Sequence, residues 1–278
     1  MAEIKYCYLN KKILPLNKAR INPNDIGILR GYAVFDFLRT YNKKPFLLKE
    51  HFNRLQKSAG ELNLKVPHPE SAVKKIIKTL LIKNKMEEAG IRIIITGGIT
   101  KDSMNTGLAP TMLILTEKLK KLPENVYSNG AKIITFEYQR DVPVAKTTDY
   151  LVAIKLQPFR KQNKAIEVLY TKNDLILECT TSNFFIFKEN TLITPKNNVL
   201  IGKTRNFVIK LAKKAKFSVE ERNLPLREIK SASEAFITAT TKEIAPIIQI
   251  NGQKIGNGKI GKNTKILMEL FKKYTQNY

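Results

Sequence analysis

Between Ala131 and Ile250 the chain runs through short β-forming stretches that do not alternate regularly with helices: Ala131 to Glu137, Ile166 to Tyr170, Leu175 to Leu177, Phe184 to Phe187, Thr191 to Ile193, Ala235 to Thr238 and Pro246 to Ile250. A doubly wound parallel sheet requires strands and helices to alternate, and this order does not fit one. The pattern predicts a barrel-like or mixed sheet flanked by helices after Thr147, after Thr204 and from about Ile260.

The first half reads differently. Residues 4–16 have the form of a hairpin, with a polar turn at Asn10-Lys11-Lys12. Val34 to Tyr41 is rich in β-formers and breaks at Asn42-Lys43-Lys44-Pro45. Leu48 to Leu62 has Phe52, Leu55 and Leu62 near helical spacing. Pro69 to Ile82 predicts a second helix, with Pro69 at its first position and Val73, Ile76, Ile77, Leu80 and Leu81 as its apolar face. Ile91 to Thr96 and Thr111 to Leu115 read as strands. The expected class is therefore α/β, with α+β character, in two domains: a small α/β domain over residues 1–117, a polar lysine-rich linker over 118–125 containing Pro123, and a larger barrel-like domain over 126–278.

Composition limits the alternatives. No apolar run approaches the roughly 20 residues of a membrane span, and the N-terminal residues lack a signal-peptide pattern. Cys7 and Cys179 show no CxxC spacing, so neither a disulfide framework nor a zinc ribbon is expected, and a cytoplasmic location is. The net charge of +25 points either to a polyanion partner or to a lysine-rich surface. The lysines are spread along the chain, without a long basic tail or an aromatic-interleaved RNA motif, so no nucleic-acid partner is expected.

Four polar segments carry candidate chemistry. Lys146 follows a strand and a Pro-containing turn, opens a predicted helix, and has the apolar neighbours Val142, Val144 and Ala145. A partly buried lysine amine can bond an aldehyde cofactor. Glu178 ends the apolar run Leu175-Ile176-Leu177. It is either an ordinary strand-end carboxylate or one that keeps a pyridine nitrogen protonated. Gly202-Lys203-Thr204-Arg205 precedes an apolar helix, where backbone amides bind phosphate well unless Thr204 simply caps the helix. Thr240-Thr241 follows a strand and offers hydroxyls and amides for a phosphate or carboxylate. Arg54, on a predicted helix, can hold a phosphate bidentately. An amine, a carboxylate and two anion cradles are the parts that a pyridoxal 5'-phosphate site needs.

The chain resembles the class IV aminotransferases, the fold-type IV pyridoxal phosphate enzymes. The resemblance runs from Arg30-Gly31-Tyr32-Ala33-Val34-Phe35-Asp36-Phe37-Leu38-Arg39 through His51 to Leu55, Pro143 to Tyr150, Glu178 to Phe185, Gly202 to Arg205 and Thr238 to Pro246, and ends at Gly256 to Gly261. It implies that Lys146 is the Schiff-base lysine and the acid/base between Cα and C4′. It implies that Glu178 pairs with the pyridine nitrogen, that Tyr150 lies near the phenolic oxygen, and that Arg54, Lys203, Thr204 and Thr240 hold the phosphate, with Thr241 toward the substrate carboxylate. It further implies a small α/β domain and a larger barrel-like domain with the cofactor between them, amino acid and 2-oxo acid substrates, and a homodimer.

The substrate is less constrained. Familiar D-amino acid transaminases carry an Arg-x-His carboxylate trap, where this chain has Thr96-Gly97-Gly98-Ile99-Thr100-Lys101-Asp102. Branched-chain enzymes typically carry Phe-Glu-Gly, where this chain has Phe35-Asp36-Phe37. Arg30 and Arg92 could bind carboxylates of Ala, Glu or 2-oxoglutarate, or Arg92 could be an exposed strand residue. Leu29-Arg30-Gly31-Tyr32 with Thr96-Gly97-Gly98 is similar to a D-amino acid transaminase subgroup without the trap. The expectation is D-amino acid:2-oxoglutarate transamination, with branched-chain L-amino acid transamination second and aminodeoxychorismate lyase activity third.

Overall fold

The computed structural model describes residues 4–278. Residues up to Lys120, with Ala145–Tyr150 and Tyr278, form one compact unit; Lys121–Val144 and Leu151–Asn277 form a second.

The first unit is a six-stranded sheet with helices. Its elements are β1 (Tyr6–Leu9), β2 (Lys12–Pro15), α1 (Ile26–Leu29), β3 (Ala33–Tyr41), β4 (Lys44–Pro45), α2 (Leu48–Glu61), α3 (Glu70–Lys83), β5 (Gly90–Thr96) and β6 (Met112–Glu117). The strand order is β2-β1-β6-β5-β3-β4, and every pairing is antiparallel. The predicted hairpin is present, and Asn10 enters its turn at φ 55°, a left-handed conformation that asparagine tolerates. Strand alternation places Val34 and Leu38 on the face that packs with Phe52, Leu55 and Ala59 of α2 and with Val73, Ile77 and Leu80 of α3. Full burial of a side chain such as Leu55 contributes on the order of 2 kcal/mol. Pro69 sits at the N-cap of α3 rather than at its first helical position.

The second unit holds α4 (Glu124–Asn129), β7 (Ala131–Glu137), α5 (Leu151–Lys155), α6 (Gln157–Gln162), β8 (Glu167–Lys172), β9 (Leu175–Cys179), β10 (Asn183–Lys188), β11 (Thr191–Pro195), α7 (Lys203–Lys214), β12 (Ser218–Arg222), β13 (Leu224–Pro225), β14 (Glu234–Ala239), β15 (Glu243–Ile250), β16 (Gln253–Lys254) and α8 (Lys262–Gln276). Its ten strands run β12-β11-β10-β14-β15-β7-β8-β9-β13, with β16 on β15, as a nearly closed, barrel-like sheet. Parallel pairs (β15–β7, β7–β8, β11–β12) stand among antiparallel ones, as a mixed sheet requires. Ile133, Leu169, Phe184, Ile186, Ile237 and Ala245 belong to one buried cluster from its strands. Helices α7 and α8 meet through Phe207, whose ring lies 5.5 Å from Phe271 and 4.7 Å from Tyr274.

Two further details depart from the sequence reading. Helix α4 begins at Glu124, inside the stretch read as linker. The helix expected after Thr147 is two short ones, starting only at Leu151.

Candidate active site

Lys146 does not open a helix. Its segment adds to β3 as a short strand-like edge: Phe35 N donates to Lys146 O (2.8 Å), Thr148 N donates to Ala33 O (3.0 Å), and Val34 bridges Thr147. The Lys146 amide donates to Ser58 Oγ of α2 at 3.0 Å. The backbone is therefore held on both sides of the lysine. Of its apolar neighbours only Ala145 is fully buried, and Val144 is exposed. The half-buried Lys146 places Nζ 4.5 Å from the centre of the Phe35 ring and 3.5 Å from Tyr150 Oη. Phe35 and Tyr150 meet edge to face at 5.8 Å.

The same face of β3 carries Phe37, and Arg92 of β5 lies opposite it in register. The Arg92 guanidinium covers both Phe35 and Phe37, at 5.3 and 5.0 Å from their ring centres. Its carboxylate partner is Glu117, reached by Nε and, at 3.1 Å, by Nη2. The bulk of Phe37 is accommodated by Gly90, where an added Cβ would stand 2.4 Å from the Phe37 ring. The structure thus brings Lys146, Tyr150, Phe35, Phe37 and Arg92 together. Arg30 is exposed at the end of α1, where Nη1 donates to Leu29 O.

Arg54 belongs to the other face of β3. Its Nε and Nη2 clasp the fully buried Asp36 at 2.8 and 2.9 Å, and His51 Nδ1 lies 2.6 Å from the same carboxylate. Burial alone would raise the Asp36 pKa; the Arg54 and His51 charges and their hydrogen bonds overcome it and hold the carboxyl well below the usual carboxylate range.

In the second unit Glu178 lies inside β9 and is buried. Arg140 donates to its Oε1 from Nε (3.0 Å) and Nη2 (2.9 Å), and Nη2 also reaches Pro143 O at 2.5 Å. Sequence reasoning missed Arg140; its place three residues before a proline in a loop carries no signal for a partner 38 positions away.

Lys203 and Thr204 open α7. The N-cap is Gly202, with no side-chain cap, so Thr204 lies within the first turn and does not cap the helix; a helix start of this kind is a position at which anions bind. A Cβ on Gly202 would fall 2.0 Å from Asn183 Oδ1, and Asn183 is anchored by Nδ2 to Leu200 O at 2.7 Å. Gly202→Ala is expected to destabilise the protein by about 1–3 kcal/mol through this overlap, read as a lowered Tm; an unchanged Tm would mean that Asn183 moves freely. Thr240 and Thr241 lie in the turn between β14 and β15, and Lys242 completes it.

An amine on a clamped backbone, a buried carboxylate held by an arginine, and an uncapped helix start suit an enzyme that works through a phosphorylated aldehyde cofactor. The family model for amino-transferase class IV matches residues 33–250. A Methanocaldococcus jannaschii protein provisionally named a branched-chain-amino-acid aminotransferase is 33% identical over 277 residues, covering 95% of this chain and 94% of its own length. The D-alanine aminotransferase of Bacillus licheniformis is 30% identical over 261 residues, 92% of each chain. Among solved structures, the Escherichia coli branched-chain amino acid aminotransferase superposes with a TM-score of 0.92 at 23% identity, covering 99% of this chain and 96% of that one. A second branched-chain amino acid aminotransferase, from the organism abbreviated T.th. and solved with pyridoxamine 5'-phosphate, does so at 0.90 and 23% identity, covering 100% and 96%. This chain belongs to the class IV aminotransferases, and is a pyridoxal phosphate-dependent transaminase of fold type IV acting on amino acids and 2-oxo acids.

Proposed function

We propose that the chain transfers the amino group of a D-amino acid, such as D-alanine or D-glutamate, to a 2-oxo acid such as 2-oxoglutarate. The observation that carries this reading is the stack of Phe35, Phe37 and Arg92 on the Lys146 face. A phenylalanine rather than a glycine at position 37 narrows that face and favours a small donor side chain such as that of alanine. The D-alanine aminotransferase relative adds to this. The two phenylalanines would also suit a branched apolar side chain, and the Methanocaldococcus jannaschii relative favours that second reading, branched-chain L-amino acid transamination.

Pyridoxal phosphate supplies an aldehyde for the amino group and a ring that accepts the electron pair left at the substrate Cα. Lys146 Nζ would hold the cofactor and act as the acid/base that takes the proton from the substrate Cα. Tyr150, 3.5 Å from that amine, serves the phenolic oxygen. Glu178, oriented by Arg140, would face the pyridine nitrogen and favour its protonated form. The amides of Lys203 and Thr204, with Thr240 and Arg54, take the phosphate, and Thr241, Arg30 and Arg92 take substrate carboxylates. We place the enzyme in the cytoplasm as a homodimer. Cys7 and Cys179 are both free, and no helix among the described residues is long and apolar enough to cross a membrane.

Adding D-alanine and L-leucine in separate cuvettes to cofactor-loaded protein tests the reading. Conversion of the visible spectrum to the pyridoxamine form with D-alanine alone is expected; conversion with L-leucine alone overturns it in favour of the branched-chain reading. Arg30→Ala and Arg92→Ala are each expected to raise KM for 2-oxoglutarate about tenfold, the scale of one lost charged hydrogen bond. An unchanged KM in both would remove the two arginines from the substrate site.

A further inference from the structure

Glu167, the first residue of β8, is 2% exposed and gathers four donors around its carboxylate. The hydroxyls of Thr180, Thr181 (2.5 Å) and Ser182 (2.9 Å) donate to it, as does Lys242 Nζ at 2.7 Å. Lys242 Nζ also donates to Thr181 Oγ1 at 2.7 Å. These groups come from three separate places: the start of β8, the turn that follows β9, and the turn between β14 and β15.

A buried ion pair is a poor device for stability alone, since a well-packed apolar group often serves as well or better. What it adds is a fixed geometry. Thr180 to Ser182 begin two residues after Glu178, and Lys242 directly follows Thr240 and Thr241. Between β10 and β14 the pair Asn183–Thr238 keeps the two turns on neighbouring strands. Asn183 in turn abuts Gly202 at the start of α7. Burial alone would raise the Glu167 pKa, but the Lys242 charge and the hydrogen bonds from Lys242, Thr180 and Thr181 bring it below the ordinary value, so the carboxylate stays ionised as the arrangement requires.

We propose that Glu167 and Lys242 are a positioning pair, clamping the 180–182 and 240–242 turns so that Glu178 and Thr240-Thr241 are presented to the cofactor in one fixed geometry. This rests on the roles proposed above for those residues. Neither member of the pair touches the reacting atoms; each acts through the turn it holds.

The test is titration of pyridoxal phosphate into cofactor-free protein, followed by the visible band, for wild type, Glu167→Gln, Lys242→Met and Thr181→Val. Thr181→Val removes only the hydroxyl bridging the charged pair and stays informative if the charge variants fail to fold. The expected result is a cofactor Kd raised about tenfold or more in the folded charge variants, on the scale known when the outer partner of a metal ligand is lost. Thr181→Val should show a smaller rise in the same direction, and the effects of Glu167→Gln and Lys242→Met should be less than additive in the double variant. A lowered Tm with Kd within twofold of wild type in the folded variants overturns the proposal and leaves the pair as core structure. Wild type that itself develops no band overturns the cofactor roles on which the proposal rests, and the two failures are thereby distinguished.

Discussion

Lys146→Ala is expected to abolish the visible band of the cofactor-loaded protein and to lower turnover by roughly 10,000-fold, the upper range for loss of a positioned acid/base. The structure makes this a clean substitution. The bonds that hold the segment, Phe35 N to Lys146 O and Lys146 N to Ser58 Oγ, are made by the lysine's backbone and survive the change. What disappears is an amine 3.5 Å from Tyr150 Oη and 4.5 Å from the Phe35 ring centre. The arginine on that face cannot replace it, because a guanidinium does not release a proton near neutral pH. Tm of the cofactor-free protein should hardly move. Turnover within tenfold of wild type would show that another group moves the proton.

Asp36→Ala is expected to cost about 3–5 kcal/mol of stability, the range for stripping one partner from a buried charged pair, and to lower Tm by roughly 10 °C. The substitution leaves Arg54 and His51 without the carboxylate that both address at 2.6 to 2.9 Å. The same group sets an acid limit. Its pKa in the folded protein lies below its unfolded value, so its contribution is complete above the usual carboxylate range and is lost as pH falls below it. Wild type should therefore lose stability in acid more steeply than Asp36→Ala, measured as Tm against pH. Parallel acid curves would show that Asp36 is not the group concerned.

Much of the fold was legible because the strands are short, apolar and bounded by turn residues; β7 matches its predicted span, Ala131–Glu137. What escaped was mostly edge structure. Strand β12 reads Ser-Val-Glu-Glu-Arg and is polar because it pairs on one side only, so it has no hydrophobic pattern to detect. Helix α4 hid in a polar stretch because only Val126 of its residues is buried. At the site, the sequence offered the lysine, the glutamate and the anion cradles, each of which has a local signature. It could not offer their supports. Glu167 looks like the solvent face of a strand until the Thr180–Ser182 turn and Lys242 close over it, and Asp36, His51 and Arg54 become a cluster only when α2 packs on β3. Those contacts are made by tertiary packing between segments distant in the chain, and no spacing rule encodes them.

The backbone ladder between the lysine segment and β3 has an evolutionary consequence. Phe35, whose side chain faces the amine, donates its own amide to the lysine's carbonyl at 2.8 Å. A mutation that reshapes the donor pocket at this strand therefore pulls on the reacting group through a rigid peptide link. Substrate range and chemical competence are mechanically joined here, and a lineage exploring new donors through Phe35 or Phe37 would be filtered at each step for variants that keep the amine in place.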